Sequence, residues 1–394
     1  MTLSIRPKIY SLPSYSLTGD LLGYLRCGLQ YRYQRIGKLP ASRPVQQWFG
    51  EFIHGVLEEA FRRYRDSVLK GAPSLPPWPA AEITDMGKLI KARLGARGLY
   101  AWRPDLEQLG NHRATAAVQE LGPYLFPLIH RAEVRLTGAR LLPAIQSQLQ
   151  FRVADRYEMV GVVDVVTHVQ LADPALANNP IVGALQSGLG QGLPPKFEVI
   201  VDYKGMRRPP VPSMGGKSPL WQQYEWQLQT YGELRRVQPD ALVVKAGVLV
   251  YVNELHPTRN DLEQLQDEIA SETTDVPPAV GSADASALKA WRKRDTHLPQ
   301  LSFEYRLARA LRIVPISPQS IAAALQAFDG VVKDIETCRG REVHGTPVLQ
   351  AWDKNSSEEQ TCVVCDSRTF CPDYQKKYAQ RHNEMQPRLP AYQT

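Results

Sequence analysis

The sequence predicts an α/β fold in which a central mixed sheet is flanked by helices. Three apolar, β-branched segments at 159–166, 197–203 and 246–252 have the composition of buried strands. Segments with helical spacing of apolar residues lie around them, including one between the second and third strands. The order strand, strand, helix, strand is expected of a mixed sheet with helices on its faces.

Bulk composition narrows the class of protein. The 394 residues include 47 basic and 40 acidic side chains, a formal charge of +7. This excess permits binding to a polyanion, provided that the basic residues cluster. The N-terminus lacks a signal-peptide core, and the most apolar run, at 241–252, is too short to span a bilayer. We therefore expect a cytoplasmic protein with no membrane association, and five cysteines exclude a disulfide scaffold.

Two helices are predicted near the start of the chain. Residues 17–35 carry a leucine stripe interleaved with tyrosines and arginines. These side chains either contact a single nucleic-acid strand or belong to an ordinary amphipathic helix. A second helix runs through His54 to about Leu69, with Gly50, His54 and Glu58 on one face. His54 is either a metal ligand or a packed helical histidine.

The first strand that carries a candidate site residue contains Asp164 within an otherwise apolar segment. Burying an unpaired carboxylate costs several kcal/mol or raises its pKa, so Asp164 needs a cation. Residues 149–153 and 157–169 are predicted to form the hairpin that leads into Asp164. Glu133 is interpreted either as an accessory acid near the site or as a surface residue.

The second such strand contains Asp202 and Lys204, which project from the same face because they are two residues apart. Carboxylates from two neighbouring strands can hold a hard divalent cation such as Mg²⁺, and a nearby lysine can orient an attacking water. The segment at 171–196 is rich in Ala, Asn, Gly and Pro and is predicted to be an inserted loop on the rim of the site.

The third piece is a helix in which Gln227 and Tyr231, four residues apart, share a face. Both side chains can form hydrogen bonds with a nucleic-acid backbone. Arg207 and Arg208 precede this helix, and they either contact phosphates or are solvated loop charges.

Taken in order, Asp164, the Asp202-x-Lys204 pair and the Gln227-x-x-x-Tyr231 pair resemble the PD-(D/E)XK nuclease superfamily. The resemblance is to its RecB-like branch, which includes CRISPR-associated RecB-type exonucleases and the AddB nuclease subunit. It implies a Mg²⁺- or Mn²⁺-dependent deoxyribonuclease, a single-stranded DNA exonuclease, that works with a helicase or a CRISPR integrase in DNA repair, recombination or defence. It also implies the fold, a sheet of the PD-(D/E)XK nuclease type.

The same resemblance implies roles for individual residues. The metal ligands would be His54, Asp164, Asp202 and the backbone carbonyl of Tyr203. Asp164, Asp202 and Lys204 would be catalytic, with Lys204 positioning the nucleophilic water. Gln227 and Tyr231 would bind the substrate strand.

Three cysteines near the C-terminus, Cys362, Cys365 and Cys371, have a spacing typical of metal binding in a reducing compartment. A tetrahedral or cubane site needs a fourth ligand. The resemblance implies a 4Fe-4S cluster completed by Cys27, which clamps the two ends of the chain, although Gly28 stands where the family often has proline. The alternatives are Cys338 as fourth ligand, or Zn²⁺ with Cys338 or His382.

The predicted organisation has three consecutive regions: a helical region at 1–130, a nuclease core at 131–260 and a helical region with the cysteines at 261–394. Two other functions stay open. One is a non-cleaving DNA-binding or scaffold subunit of a helicase–nuclease complex. The other is a zinc-stabilised interaction protein in which the acidic motif is coincidental.

Overall fold

The computed structural model describes residues 12–39, 45–211, 219–357 and 359–378. The predicted ligand His382 lies outside these ranges. Six strands are described: β1 (Ser14–Ser16), β2 (Ile129–Leu141), β3 (Arg156–Gln170), β4 (Lys196–Lys204), β5 (Val244–Tyr251) and β6 (Leu311–Pro315).

Fifteen α-helices accompany the strands in the described ranges. None of them combines the length and the apolar content needed to cross a bilayer. In chain order they are α1 (Leu22–Arg26), α2 (Gly28–Tyr31), α3 (Val45–Leu69), α4 (Ala80–Ala96), α5 (Pro104–Ala116), α6 (Gly122–Leu125), α7 (Pro180–Leu189), α8 (Pro219–Arg236), α9 (Arg259–Ala270), α10 (Ala283–Ala290), α11 (Phe303–Ala310), α12 (Pro318–Val343), α13 (Val348–Ala351), α14 (Glu359–Val363) and α15 (Pro372–Lys377).

The chain divides into two compact units, each assembled from separated stretches. Unit 1 comprises Met1–Ser42, Thr137–Gly161 and Ala323–Thr394, and unit 2 comprises Arg43–Leu136 and Val162–Ala322. The three consecutive regions expected from the sequence stay a prediction.

The strands form a mixed sheet flanked by helices, which confirms the α/β class. The hydrogen-bonded order is β1-β3-β4-β5-β6, and β2 also pairs with β3. In unit 2, β3 and β4 are antiparallel, β4 and β5 are parallel, and β5 and β6 are antiparallel. The parallel pair needs a crossover connection, and α8 lies in that connection.

Helix α8 packs closely on this sheet. Gly247 of β5 makes the close approach possible, because a Cβ at that position would lie 2.6 Å from Leu228 Cδ1. The far end of α8 is fixed by a buried ion pair in which Arg235 donates to both Glu198 carboxylate oxygens of β4, at 2.7 and 2.8 Å. Breaking a buried pair of this kind typically costs about 3–5 kcal/mol.

The core of unit 2 joins helix α3 to the sheet. Phe52 and Ile53 on α3 are fully buried, as are Ala246 and Val252 on and after β5. Each buried side chain of this size contributes roughly 1.5–3 kcal/mol of hydrophobic stabilisation. The same packing fixes the orientation of His54, which follows Ile53 on α3.

The predicted loop at 171–196 is wrong, because its centre forms helix α7. Asn179 caps this helix by accepting the backbone N–H groups of Ile181 and Val182 at 2.9 and 3.3 Å. Pro180 follows at the first helical position, where its missing N–H is not needed. Gly188 lies against Ile313 of β6, so the segment packs on the sheet edge.

The strand predicted at 149–153 is also wrong. Residues Ser147–Leu149 form a 3-10 turn, and the chain stays irregular until β3 begins at Arg156. Both strands that precede this segment, β1 and β2, pair with β3. The alternation of polar and apolar residues at 149–153 is short, and β2, which is 13 residues long, pairs with β3 in its place.

Unit 1 decides between the two interpretations of the N-terminal helix. The helix is interrupted at Cys27, whose backbone is extended with φ −166° and ψ 114°. Tyr24 and Tyr31 are buried, and their rings lie 6.4 and 6.1 Å from the ring of Trp352. Arg32 forms an ion pair with Glu342 at 2.5 Å. These side chains therefore pack within the unit, as in an ordinary amphipathic helix.

Candidate functional site

The middle of β3 and the end of β4 carry the two predicted aspartates, Asp164 and Asp202. The last residue pair in the ladder between β3 and β4 is Val165 with Val201. Asp164 and Asp202 are the next residues beyond that pair on the two strands. Beyond that pair, the Asp164 carboxylate accepts the backbone N–H of Tyr203 at 2.8 Å. A side chain thus takes the place of a ladder bond, which fixes the Asp164 carboxylate beside β4.

Helix α3 adds His54 to this arrangement. Its Nδ1 lies 3.4 Å from Asp164 Oδ2, and its Nε2 lies 2.9 Å from the carbonyl oxygen of Tyr203. Burial lowers the pKa of His54, but the Asp164 carboxylate, the charge of Asp202 and the hydrogen bond to the Tyr203 carbonyl together outweigh burial and raise the pKa to about 9. Both ring nitrogens then carry protons at neutral pH, and Nε2 donates to the carbonyl.

Glu133 of β2 is the third member of this group. One ligand atom from each of His54, Glu133 and Asp164 lies within 4.8 Å of the others. Desolvation and the negative charge of Asp164 raise the pKa of the Glu133 carboxyl to about 7. The backbone of Glu133 has φ 50°, which few non-glycine residues adopt and which often marks functional sites. The Glu133 side chain is exposed and also lies beside His54 and Asp164, so Glu133 is a surface residue at the edge of the site.

Asp202 and Lys204 form the second half of the site. Lys204 Nζ lies 2.5 Å from Asp202 Oδ2, and it lies 4.2 Å from the centre of the Tyr224 ring. Burial raises the pKa of the Asp202 carboxyl, and the charge of Lys204 opposes that rise. Asp202 Oδ2 is buried, and its close partner is the Lys204 ammonium. A cation bound to Asp202 would share the carboxylate with Lys204.

Gln227 joins the two members of this pair. Its Oε1 accepts from Lys204 Nζ at 2.9 Å, and its Nε2 donates to Asp202 Oδ1 at 3.0 Å and to the Tyr231 hydroxyl at 3.1 Å. Gln227 and Tyr231 are both buried. The hydrogen bonds of Gln227 go to the Lys204 ammonium, the Asp202 carboxylate and the Tyr231 hydroxyl. The predicted contact of Gln227 and Tyr231 with substrate stays a prediction.

The donors present fit a hard divalent cation. Asp164, Asp202, Glu133 and the Tyr203 carbonyl offer oxygen atoms, which suit Mg²⁺ or Mn²⁺, and His54 offers an imidazole nitrogen. The site opens into a groove of about 470 Å³ that is lined by His54, Glu133 and Asp164 together with residues of α3 and α4. Solvent and substrate can therefore reach Asp164 and Glu133, whereas Asp202 is buried and does not line this groove.

Arg207 and Arg208 take part in neither of the roles expected for them. Arg208 is buried and pairs with Asp275, and it also donates to the carbonyl oxygen of Leu311 at 2.9 Å. Arg207 pairs with Glu268 at 2.5 Å. Their charges are used inside unit 2, because buried guanidinium groups need carboxylate partners.

Four cysteines in unit 1 line one small cavity: Cys27, Cys362, Cys365 and Cys371. Burial raises the pKa of Cys362, and the neighbouring Cys371, Cys27 and Cys365 raise it further. Cys338 does not line this cavity. Its Sγ lies 3.5 Å from the Tyr24 hydroxyl and 4.0 Å from Asp353.

The spacing of these cysteines differs from that of the acidic group. In the described part of the chain, only the group of His54, Glu133 and Asp164 has three or more ligand atoms within 4.8 Å of one another. A tetrahedral zinc site with Zn–S of about 2.3 Å would bring its sulfurs to roughly 3.8 Å. The four cysteines line one cavity, but their sulfur atoms are not as close together as in such a zinc site.

A comparison with protein families finds one match. Residues 19–170 match the model of the PD-(D/E)XK nuclease superfamily, and no curated protein matches the chain. The matched segment includes His54, Glu133 and Asp164 and ends before Asp202. The mixed sheet flanked by helices is consistent with this superfamily, and the match indicates a metal-dependent nuclease.

Proposed function

We propose that the chain is a Mg²⁺- or Mn²⁺-dependent deoxyribonuclease that hydrolyses phosphodiester bonds in single-stranded DNA from an end. The superfamily match over residues 19–170 supports a nuclease. The excess of basic residues agrees with a polyanionic substrate. Single-strand preference, exonuclease action and a DNA substrate go beyond the match and are parts of the proposal.

One observation carries this proposal. His54, Asp164 and the backbone of Tyr203 are joined by contacts of 2.8–3.4 Å although 149 residues separate the first from the last. A coincidental acidic motif would have no reason to meet a helical histidine at the end of a strand. This convergence weighs against the zinc-stabilised interaction protein.

The residues divide the work of binding a cation. In the proposal, Asp164, Asp202, Glu133 and the Tyr203 carbonyl donate oxygen ligands, and His54 donates a nitrogen after it releases a proton. A bound divalent cation would polarise the phosphate and lower the pKa of an attacking water. The groove beside α3 gives the phosphate access to these donors.

Lys204 supplies the positive charge that does not come from a metal. Its ammonium group lies beside Asp202 and is held by Gln227 Oε1. An ammonium in this position can orient the water and stabilise the charge that develops on the phosphate. Gln227 then acts as a positioning residue, because it fixes the distance between Lys204 and Asp202.

The test is a metal-titrated cleavage assay on single-stranded and duplex DNA labelled at each end. The parent should cut single strands only with Mg²⁺ or Mn²⁺, and the end label should show progressive shortening. Asp164→Asn, which keeps the shape of the side chain, should lose cleavage. A parent that binds DNA but never cuts at any metal concentration would establish the non-cleaving scaffold instead.

We further propose that Cys27, Cys362, Cys365 and Cys371 hold a 4Fe-4S cluster. The shared cavity supports four ligands that include Cys27 rather than Cys338. In the proposed cubane each of the four thiolates would bind a different iron. Arg368 and Lys354 also line the cavity, and their positive charge would balance an anionic cluster. The helicase or CRISPR integrase partner, and the role in repair or defence, stay predictions.

A further inference from the structure

A second groove lies beside the candidate active site in unit 2 and has no part in the chemistry above. Its volume is about 500 Å³, within the range of small-molecule sites. The wall is apolar, with Phe49, Trp102, Leu106 and Leu109. Gly205, which directly follows Lys204, completes the lining.

The two grooves share a wall. Phe49 lines the apolar groove, and the next residue of α3, Gly50, lines the groove that contains His54. Gly205 packs between them, because a Cβ at that position would lie 3.4 Å from both Gly50 Cα and Phe49 Cδ1. The two grooves therefore lie next to each other along α3.

Trp102 dominates the chemistry of this groove. Its side chain is 73% exposed, although it stands on the short connection between α4 and α5, where a polar residue would serve as well. An exposed indole beside a groove is a typical platform for an unpaired base, because every base has a face that can stack.

The charges around the groove fit a nucleotide. Among its described lining residues are Arg103 and Arg113, and none is acidic. The Arg113 guanidinium lies 5.5 Å from the centre of the Phe49 ring and pairs with Asp261 at 2.6 Å. Arg103 is largely exposed and lies 3.1 Å from Asp105, so it can turn toward a phosphate at low cost.

We propose that this groove binds an unpaired nucleobase of the substrate strand by stacking on Trp102, and that it selects single-stranded over duplex DNA. A base in a duplex is stacked on both faces and cannot enter. The placement rests on the proposed nuclease site, because the groove is defined as its continuation. Trp102 is thus a specificity residue that acts on substrate binding.

Binding without cleavage tests the groove by itself. A fluorescently labelled single-stranded oligonucleotide is titrated with full-length protein in EDTA. Trp102→Ala should weaken binding roughly 5- to 150-fold, the range for loss of one stacked base, and Trp102→Phe should restore most of it. Tyr100→Ala is the matched control, because Tyr100 is 64% exposed two residues away and does not line the groove. It should bind like the parent.

A second arm replaces one base at a time by an abasic site. One abasic position should weaken binding to the parent and leave binding to Trp102→Ala unchanged. The groove proposal is overturned if the parent does not bind single strands, if Trp102→Ala binds as tightly as the parent, or if no abasic position matters. Cleavage assays are separate: a parent with Trp102-dependent binding that never cuts removes the nuclease and keeps the groove.

Discussion

The acidic site of unit 2 and the cysteine cavity of unit 1 differ in how far protein groups alone hold them together. In unit 2, Asp164 accepts a backbone N–H, His54 bridges Asp164 to a carbonyl, and Gln227 bridges Lys204 to Asp202. In unit 1, burial raises the pKa of Cys362 and Cys365, and their neighbours raise it further. Protein groups alone hold the acidic site in place. The thiols, by contrast, keep their protons until a metal binds and displaces them.

The elements that carry the two sites differ in the same way. The acidic site stands on strands and on helices of 25 and 18 residues. The C-terminal cysteines stand on and beside α14 and α15, helices of 5 and 6 residues. Helices this short are marginal without tertiary support. A metal at the cysteines would therefore organise local structure, while a metal at the carboxylates would be added to a finished site.

The largest expected effect is at the cysteines. Cys362→Ala should lose the bound metal and much of the folded yield, because metal binding and folding are coupled in such sites. Anaerobic purification followed by metal analysis and a visible absorption spectrum measures the first loss, and thermal unfolding measures the second. A variant as stable and active as the parent would refute a structural role.

Cys338→Ala is the matched control for that substitution. Cys338 is equally a buried thiol, but it does not line the cavity. We expect it to keep the metal and to lose about 1 kcal/mol of unfolding free energy. Loss of metal in Cys338→Ala and its retention in Cys27→Ala would reverse the assignment of the fourth ligand.

The next effect concerns turnover. Lys204→Ala should lower kcat about 10²- to 10³-fold, as removal of a preorganised charge does in other active sites, while DNA binding stays close to that of the parent. Single-turnover cleavage and anisotropy measure the two quantities. Equal losses in both would show that Lys204 serves general attraction of DNA.

A smaller effect is expected at Gln227, which tests how strongly the acidic site is preorganised. Gln227→Ala removes the bridge between Lys204 and Asp202, so kcat should fall about 10- to 100-fold with little change in substrate affinity. Tyr231→Phe is the comparison variant, because it removes one hydroxyl at the outer end of the same network. If Gln227→Ala instead raised KM alone, Gln227 would be a substrate contact.

The smallest effect concerns pH. Because the pKa of Glu133 is raised to about 7, a proton competes with the cation below that pH. The metal concentration for half-maximal activity should therefore fall as pH rises from about 6 to 8. Glu133→Gln should raise that concentration about tenfold and reduce its pH dependence, leaving the part that comes from proton release by His54. An unchanged pH profile would exclude Glu133 as a ligand.

Much of the acidic site is predictable because each of its residues stands out within its own short segment of sequence. Asp164 and Asp202 are charged positions in apolar strands, and the two-residue and four-residue spacings of Lys204 and Tyr231 follow from strand and helix geometry. These local rules place each side chain on a face. The α/β class follows from the alternation of elements.

The rest depends on contacts between distant segments. Glu133 could not be chosen from the sequence, because its position depends on the pairing of β2 and on a left-handed backbone conformation. Helix α7 was missed because small residues and Pro180 resemble a loop until Asn179 is recognised as a cap. Arg207 and Arg208 form ion pairs with carboxylates more than 60 residues away in the sequence. No rule of local spacing predicts such contacts.

The buried pair of Arg235 and Glu198 has a consequence for how this protein can evolve. It sets the register of α8 on β4, so the approach of Gln227 to Lys204 does not depend on the length of the chain that joins the two elements. Apart from Gly205, Arg207 and Arg208, which make the contacts described above, changes of length in that connection should therefore leave the geometry of the site intact.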